Sequence, residues 1–237
     1  MSNPFKFKKF SIVQDRCAMK VGTDGVLLGA WTPVNHNPNS VLDIGAGTGL
    51  LSLMLAQRCH AELIDALEID DDAFEQCVEN FEASPWSDRL FCYHAGFDEF
   101  VDEIDDRYDL IISNPPFYTE QVLSGSQQRD TARNSFSLPF KELMAGAAKL
   151  LSHKGLFCCI IPFKEEQKLI ELGNKNKLYP NKITRVKGTP DTEIKRSLIA
   201  FSFHEPELEI SELIIEIERH QYTQDYIDLT KDFYLKM

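Results

Sequence analysis

Paired cysteines are missing from this 237-residue chain. Its six cysteines (Cys17, Cys59, Cys77, Cys92, Cys158 and Cys159) form no C-x-x-C and stand among apolar neighbours. That argues against a zinc site or a disulfide framework and for free, buried thiols in a reducing compartment. The six histidines are equally dispersed, with no metal-ligand spacing, so no metal is expected. Long hydrophobic runs are also absent: a stretch such as Leu156 to Pro162 is strand-length, far short of the roughly 20 residues of a membrane span. The start, Met1-Ser2-Asn3-Pro4-Phe5-Lys6, lacks the apolar segment of a signal peptide. A cytoplasmic protein without a membrane partner is the expectation.

Positive charge is scarce overall, with 25 Lys and Arg against 37 Asp and Glu and a net charge of −12. Taken whole, this balance disfavours nucleic acid as a partner. Its distribution is uneven, however. Residues 62–109 carry seventeen acids against Arg89 and Arg107, and residues 205–237 carry nine acids against three cations. The remainder is positive, with basic residues in an N-terminal arm (Lys6, Lys8, Lys9, Arg16, Lys20) and from Lys164 to Arg196. A weak basic footprint beside an acidic half is compatible with a polyanion on one face.

Strand and helix patterns alternate through most of the length. Strands are expected at 41–44, 63–67, 90–93, 108–113 and 155–161, with helices at 50–59, 71–82, 98–104, 139–151 and 163–172, the last ended by Gly173. Residues 183–186 and 198–203 read as a closing antiparallel pair. Residues 208–217 alternate like a strand, and residues 224–235 fit a helix. Such alternation implies an α/β fold with a mainly parallel sheet and helices on both faces, whose ligands bind beyond the carboxyl ends of the strands. No linker interrupts the chain. We therefore expect a single domain over 1–237, with an N-terminal arm (1–40), a core (41–204) and a C-terminal extension (205–237).

Three features at strand ends carry chemistry. Val41-Leu42-Asp43-Ile44-Gly45-Ala46-Gly47-Thr48-Gly49 is a strand entering a glycine turn before a helix. Gly45, Gly47 and Gly49 allow positive φ and close approach to a ligand. The spacing is G-x-G-x-G with Leu50 where a dinucleotide fingerprint has its third glycine, so it points away from pyrophosphate. Asp43 would repel a pyrophosphate as well, yet could hold a cationic amino group. The second strand ends in Leu67-Glu68-Ile69-Asp70, where a carboxylate can accept two hydrogen bonds from a ribose diol. The fourth strand ends in Asn114-Pro115-Pro116-Phe117. Its prolines remove backbone donors and leave carbonyls free, Asn114 adds an amide acceptor, and Phe117 offers a face for stacking.

Together these features resemble the class I S-adenosylmethionine-dependent methyltransferases, over roughly 41–203. The resemblance implies a Rossmann-like, seven-stranded, mostly parallel sheet with an antiparallel closing hairpin, and S-adenosyl-L-methionine as cofactor. Gly45 to Gly49 would be the cofactor loop, Glu68 the ribose acid followed by Ile69, and Asn114 to Phe117 the clamp for a planar nitrogen. The arm is more specific. Phe7-Lys8-Lys9-Phe10 followed by Lys20-Val21-Gly22-Thr23-Asp24-Gly25-Val26-Leu27-Leu28-Gly29-Ala30-Trp31 resembles the arm of a bacterial family that methylates N6 of the adenine 3′ of the anticodon in a valine tRNA. Gly22 and Gly25 would bracket a turn over the cofactor, with Thr23 as a hydroxyl donor and Val26 to Trp31 as a core helix. One departure stands out. His94-Ala95-Gly96-Phe97 precedes Asp98 where relatives place an acid or amide directly after the third strand, so the cofactor's adenine would be met by Gly96 and Phe97 or by a shifted Asp98.

On this resemblance, Asn114 and the Pro115 carbonyl would accept the two N6 protons of an adenine stacked on Phe117. Arg129, Arg133, Lys195 and Arg196 are candidates for tRNA phosphate contacts, and a monomer is expected. The same chemistry could act on guanine N2 of ribosomal RNA or on the glutamine amide of a release factor. A cofactor-binding protein without turnover is the reading from another class.

Overall fold

Three parallel strands with nearly uninterrupted burial form the centre of the molecule. The computed structural model describes residues 3–115, 138–205 and 207–237. Two short strands, β1 (Phe5–Lys6) and β2 (Ser11–Ile12), precede helix α1 (Thr23–Trp31). Strand β3 (Ser40–Ile44), helix α2 (Leu50–Arg58), β4 (Leu63–Glu68), α3 (Asp71–Glu82), β5 (Leu90–His94), α4 (Phe97–Glu103) and β6 (Tyr108–Ser113) then alternate. After them come α5 (Phe140–Leu150), β7 (Leu151–Pro162), a 3₁₀ turn at Phe163–Glu165, α6 (Glu166–Lys175), β8 (Tyr179–Lys187) and β9 (Ile194–Ser202). The C-terminal residues form β10 (Glu209–Ile214), a small hairpin of β11 (Glu216–Glu218) and β12 (Gln221–Tyr222), and α7 (Gln224–Thr230).

The main sheet has the order β10-β8-β9-β7-β6-β3-β4-β5. Only β9 runs against its neighbours, so the parallel sheet and antiparallel closing hairpin expected from the sequence are present. The count differs: eight strands stand where seven were expected. β10 pairs in parallel with β8 from Glu209↔Lys182 to Ile214↔Lys187, adding C-terminal residues to the sheet edge. Among the described residues no helix is long and apolar enough to cross a membrane.

Each face of the sheet carries its own apolar cluster. One joins α1 and α2 to alternate residues such as Val41, Ile64, Leu110, Cys158 and Leu198. The other joins α4, α5 and α6 to Leu42, Leu67, Ile111, Phe157 and Ile199. This is the period-two division of side chains that a strand imposes. All six cysteines are free, and all but Cys92 are buried.

Helix ends follow local rules with one surprise. Asp70 caps α3 by accepting from the Ala73 N–H at 2.9 Å, with Asp71 and Asp72 in the first turn. Arg89 caps the far end of α2, donating to the carbonyls of Ala56, Cys59 and Ala61. Gly173 does not end its helix. α6 continues to Lys175, and the left-handed position falls to Lys177 (φ 61°) in a Schellman turn closed by Leu178 N–H on the Gly173 carbonyl. Gly173 is needed for close packing instead, since a Cβ there would stand 2.8 Å from the Leu178 carbonyl oxygen. The last helix is also shorter than expected, ending at Thr230.

The N-terminal arm is fastened along α3 by two buried amides. Asn80 accepts from Val13 N–H and donates to the carbonyls of Val13 and Thr48, all at 2.9 Å. Gln76 accepts from Arg16 N–H and donates to Asp15. Buried amides that complete their hydrogen bonds fix one geometry, because leaving them unpaired costs roughly 1–3 kcal/mol each. Trp31 Nε1 donates to Thr184 Oγ1 at 2.8 Å, which ties α1 to β8.

Gly49 begins α2 at φ 78°, and a Cβ there would meet Phe81 at 2.5 Å and Cys77 at 2.9 Å, whereas Gly47 (φ 56°) has open space around it. Gly47→Ala should cost about 1–2 kcal/mol from backbone strain alone. Gly49→Ala adds overpacking and should cost a further 1–3 kcal/mol or so. Urea unfolding of the two variants checks the order, and equal losses would contradict it.

Candidate active site

The carboxyl ends of β4, β3 and β6 lie side by side. Ile44 pairs with Leu67 on one side and with Ser113 on the other, and the Ser113 hydroxyl donates to the Ile44 carbonyl at 2.9 Å. The residues that follow are therefore neighbours: Gly45 after β3, Glu68 at the end of β4 and Asn114 after β6. The three were singled out from separate parts of the sequence, and the sheet brings them together.

Gly45 (φ 74°), Gly47 and Gly49 all have left-handed backbone. The turn is held by Gly45 and Ala46 N–H on the Leu67 carbonyl, at 3.0 and 2.9 Å. A Cβ on Gly45 or Gly47 would have nothing within 4 Å, so open space lies against this loop. Glu68 is buried, with 9% of its surface exposed, and accepts from three backbone N–H groups. Gly47 donates to Oε2 at 2.7 Å, while Ile69 and Asp70 donate to Oε1 at 2.9 Å. The carboxylate thus links the glycine turn to the start of α3. Ile69, next in the chain, is 44% exposed.

Two buried acceptors are incomplete. Asp43 is fully buried; its Oδ2 accepts from Ser52 N–H at 3.1 Å and Ser52 Oγ at 2.8 Å, while Oδ1 has no partner among the described residues. Burial pushes the Asp43 carboxyl up to about 7, against the lowering effect of Ser52. Asn114 Oδ1 is buried and also lacks a partner among the described residues. Unpaired buried oxygens are costly, and two of them near the ends of adjacent strands mark this edge as a candidate binding site.

The remaining expectations divide. Gly22 is the extended N-cap of α1 (φ −131°), and Thr23 is exposed in the first turn. Gly25 does not bracket a turn: it lies inside α1, where a Cβ would stand 2.9 Å from Leu50. Arg196 Nε donates to Asp24 Oδ2 at 2.7 Å, so the guanidinium expected on phosphate holds the α1 N-terminus against β9. Lys195 is exposed. After β5, His94 stacks on Phe74, and the Phe97 ring is buried in the core against Gly146, not offered to a ligand. A side chain on Gly96 would meet Asp98 Oδ1 at 2.8 Å and Ile69 Cδ1 at 3.7 Å, so Asp98 and Ile69 flank Gly96. Pro116, Phe117, Arg129 and Arg133 lie outside the described residues.

Sequence reasoning missed Gln76 and Asn80, which seat the arm on α3, Asn80 also donating to the Thr48 carbonyl of the glycine turn. Their signal was two amides four residues apart on the apolar stripe of α3 with Ala73, Cys77 and Phe81, where surface residues have no place.

This geometry has known counterparts. Residues 25–171 match the family described as methyltransferase small domain. The tRNA1(Val) (adenine(37)-N6)-methyltransferase of Flavobacterium johnsoniae is 66% identical over 234 residues, covering 98% of this chain and all of that protein. This chain belongs to the tRNA1(Val) (adenine(37)-N6)-methyltransferase family. A Bacteroides fragilis member of that family is 44% identical over the whole of both chains. Among solved structures, a predicted O-methyltransferase from Agrobacterium tumefaciens has a TM-score of 0.67 at 19% identity, covering 89% of this chain and 96% of its own, which marks a shared fold.

The acid at the end of β3 gives this family member a measurable signature. The folded chain keeps the Asp43 proton to about pH 7, whereas an unfolded chain releases it near pH 4. The fold therefore binds the extra proton between those values, and stability falls as pH rises through them, then levels. Asp43→Asn should remove that part of the slope. The check is the difference in urea midpoint between wild type and variant from pH 4 to 8; a constant difference would contradict it.

Proposed function

We propose that this protein transfers the methyl group of S-adenosyl-L-methionine to N6 of adenine 37 in tRNA1(Val). The observation that carries the reading is Asn114 Oδ1, buried and without a partner among the described residues just after β6, one strand away from the glycine turn and two from Glu68. The residues present fit the cofactor: Glu68, whose three backbone bonds leave one acceptor position on Oε2 for a ribose hydroxyl, an open backbone cradle at Gly45 and Gly47, and Asp43 Oδ1, unpaired among the described residues, for the cationic amino group. Ile69 would pack on the adenine ring, and Asp98, beside Gly96, would accept from its exocyclic amine. When bound, the cofactor supplies an electrophilic methyl on a sulfonium.

The chain's own contribution is positioning. An exocyclic adenine amine is weakly nucleophilic because its lone pair is delocalised into the ring. Asn114 Oδ1 and the Pro115 carbonyl each accept one N6–H, which draws the nitrogen toward tetrahedral geometry and aims its lone pair away from the ring plane. Aligned acceptors and a fixed approach then supply the rate. N6 gives up one proton after the bond forms, and a methylated ammonium of this kind is acidic enough to lose it to water. Phe117 would stack the base, worth roughly 1–3 kcal/mol. An anticodon-loop base is unpaired, so little is spent extruding it. Thr23, Lys195 and, after the motif, Arg129 and Arg133 are proposed contacts to cofactor or phosphate, and the protein is proposed to act as a cytoplasmic monomer.

Asn114→Ala should lower methyl transfer by about 100-fold or more while the S-adenosyl-L-methionine Kd stays within about threefold. Isotopically labelled cofactor offered with bulk tRNA, ribosomal RNA and release factor in separate reactions, followed by nucleoside analysis, reads the substrate. N6-methyladenosine in tRNA alone is the expected result. Label in guanine N2 or in the protein would replace the substrate assignment, and near wild-type transfer by Asn114→Ala would overturn the mechanism.

A further inference from the structure

Phe163 contributes to neither apolar cluster. It follows Pro162 at the end of β7, opens the 3₁₀ turn and is 36% exposed. A lone exposed aromatic needs no explanation, but this one is braced. The Arg185 guanidinium lies over its ring, 5.4 Å from the centroid. Arg185 is in turn fixed by Glu166, 7% exposed, which accepts from Nε at 3.2 Å and from Nη2 at 2.7 Å, and also from Ser197 Oγ. Glu166 is buried but the Arg185 side chain is 33% exposed, and a partly exposed pair adds little stability; its effect is to hold the arginine against the ring.

The ring also lines a cleft whose opposite wall is the β8–β9 turn, with Lys187, Pro190, Thr192 and Ile194. Asp191 and Glu193 complete the lining. Lys187 is paired with Glu212 at 3.0 Å, which leaves the exposed Asp191 and Glu193 as the remaining charges of the lining. Such a lining repels phosphate. It suits a flat group with N–H donors on its edge, as carboxylates accept from base amines. The segment that carries the cleft is basic in sequence: residues 164–204 hold nine Lys and Arg against five acids, including the exposed Lys195.

The cleft is set off from the amine clamp by register. Ser113 pairs with Cys159, so Asn114 is level with Ile160 and Phe163 stands three residues further out on the next strand. At about 3.3 Å per residue and about 4.8 Å between strands, the two positions are roughly 10 Å apart. One base cannot lie on both. We propose that Phe163, stacked on Arg185, is the platform for a second unpaired base of the substrate RNA, the immediate neighbour of the methylated adenine. Asp191 and Glu193 read the amine or imino edge of that base. The assignment of an RNA substrate rests on the proposed function.

The probe is a synthetic anticodon stem-loop carrying fluorescent 2-aminopurine at position 36 in one oligonucleotide and at position 38 in another. Wild-type protein should quench one of the two on binding. Phe163→Leu, which keeps the apolar bulk without the ring face, should abolish that quench and raise the KM for the unlabelled stem-loop about 10-fold with kcat changed less than about threefold. Phe163→Tyr should restore both, with the S-adenosyl-L-methionine Kd unaltered in each variant. No quench at either position, or a quench and KM that Phe163→Leu leaves unchanged, overturns the proposal. A Phe163-dependent quench on a stem-loop that is never methylated would uphold the cleft and contradict the proposed reaction instead.

Discussion

Backbone register between β4, β3 and β6 is the constraint on which the site depends. Because Ile44 is level with Leu67 and Ser113, the glycine turn, the Glu68 carboxylate and the Asn114 amide emerge together at one edge. A slip of one residue in either pairing would turn alternate side chains to the opposite face and separate these groups. The register is held by burial on both faces of the three strands, where Val41, Ile64 and Leu110 serve one cluster and Leu42, Leu67 and Ile111 the other. At roughly 1.5–3 kcal/mol for each large apolar side chain buried, misregistry is far costlier than any single polar contact at the site.

Upon that frame the arm and the C-terminal residues are fitted by polar ties across long sequence separations. Asn80 connects Val13 to Thr48, Trp31 reaches Thr184, and Arg196 reaches Asp24. Asp24–Arg196 is partly exposed and contributes little to stability on its own. Its value is geometric, since it anchors the start of α1, and with it Gly22 and Thr23, near the end of β7 and the start of β9. Thr184 continues the connection to Ser211 on β10, so the added strand is coupled to the arm through one hydroxyl chain.

The sheet and the three strand-end motifs were legible because they are local. Buried parallel strands read as apolar runs, and positive φ reads as glycine. What the sequence hid were features made by distant residues. β10 lies within the strand expected at 208–217, but its place at the sheet edge, parallel to β8, could not be read from its own residues. Arg196 reads as a surface cation until Asp24 is seen beside it, 172 positions away. Phe97 reads as a ring beside the site, yet the absence of a side chain at Gly146 lets it sink into the core. Gly173 reads as a helix stop, yet close packing on the Leu178 backbone explains it better.

Asn114 Oδ1 is buried and has no partner among the described residues, and the proposed reaction needs that oxygen for a substrate amine. The most direct measurement is a crystal structure of the protein with S-adenosylhomocysteine and an anticodon stem-loop. It should place N6 of the target adenine about 3 Å from both Asn114 Oδ1 and the Pro115 carbonyl oxygen, facing the sulfur across the Gly45 turn. An adenine bound at this edge with N6 out of hydrogen-bonding reach of Asn114 would contradict it.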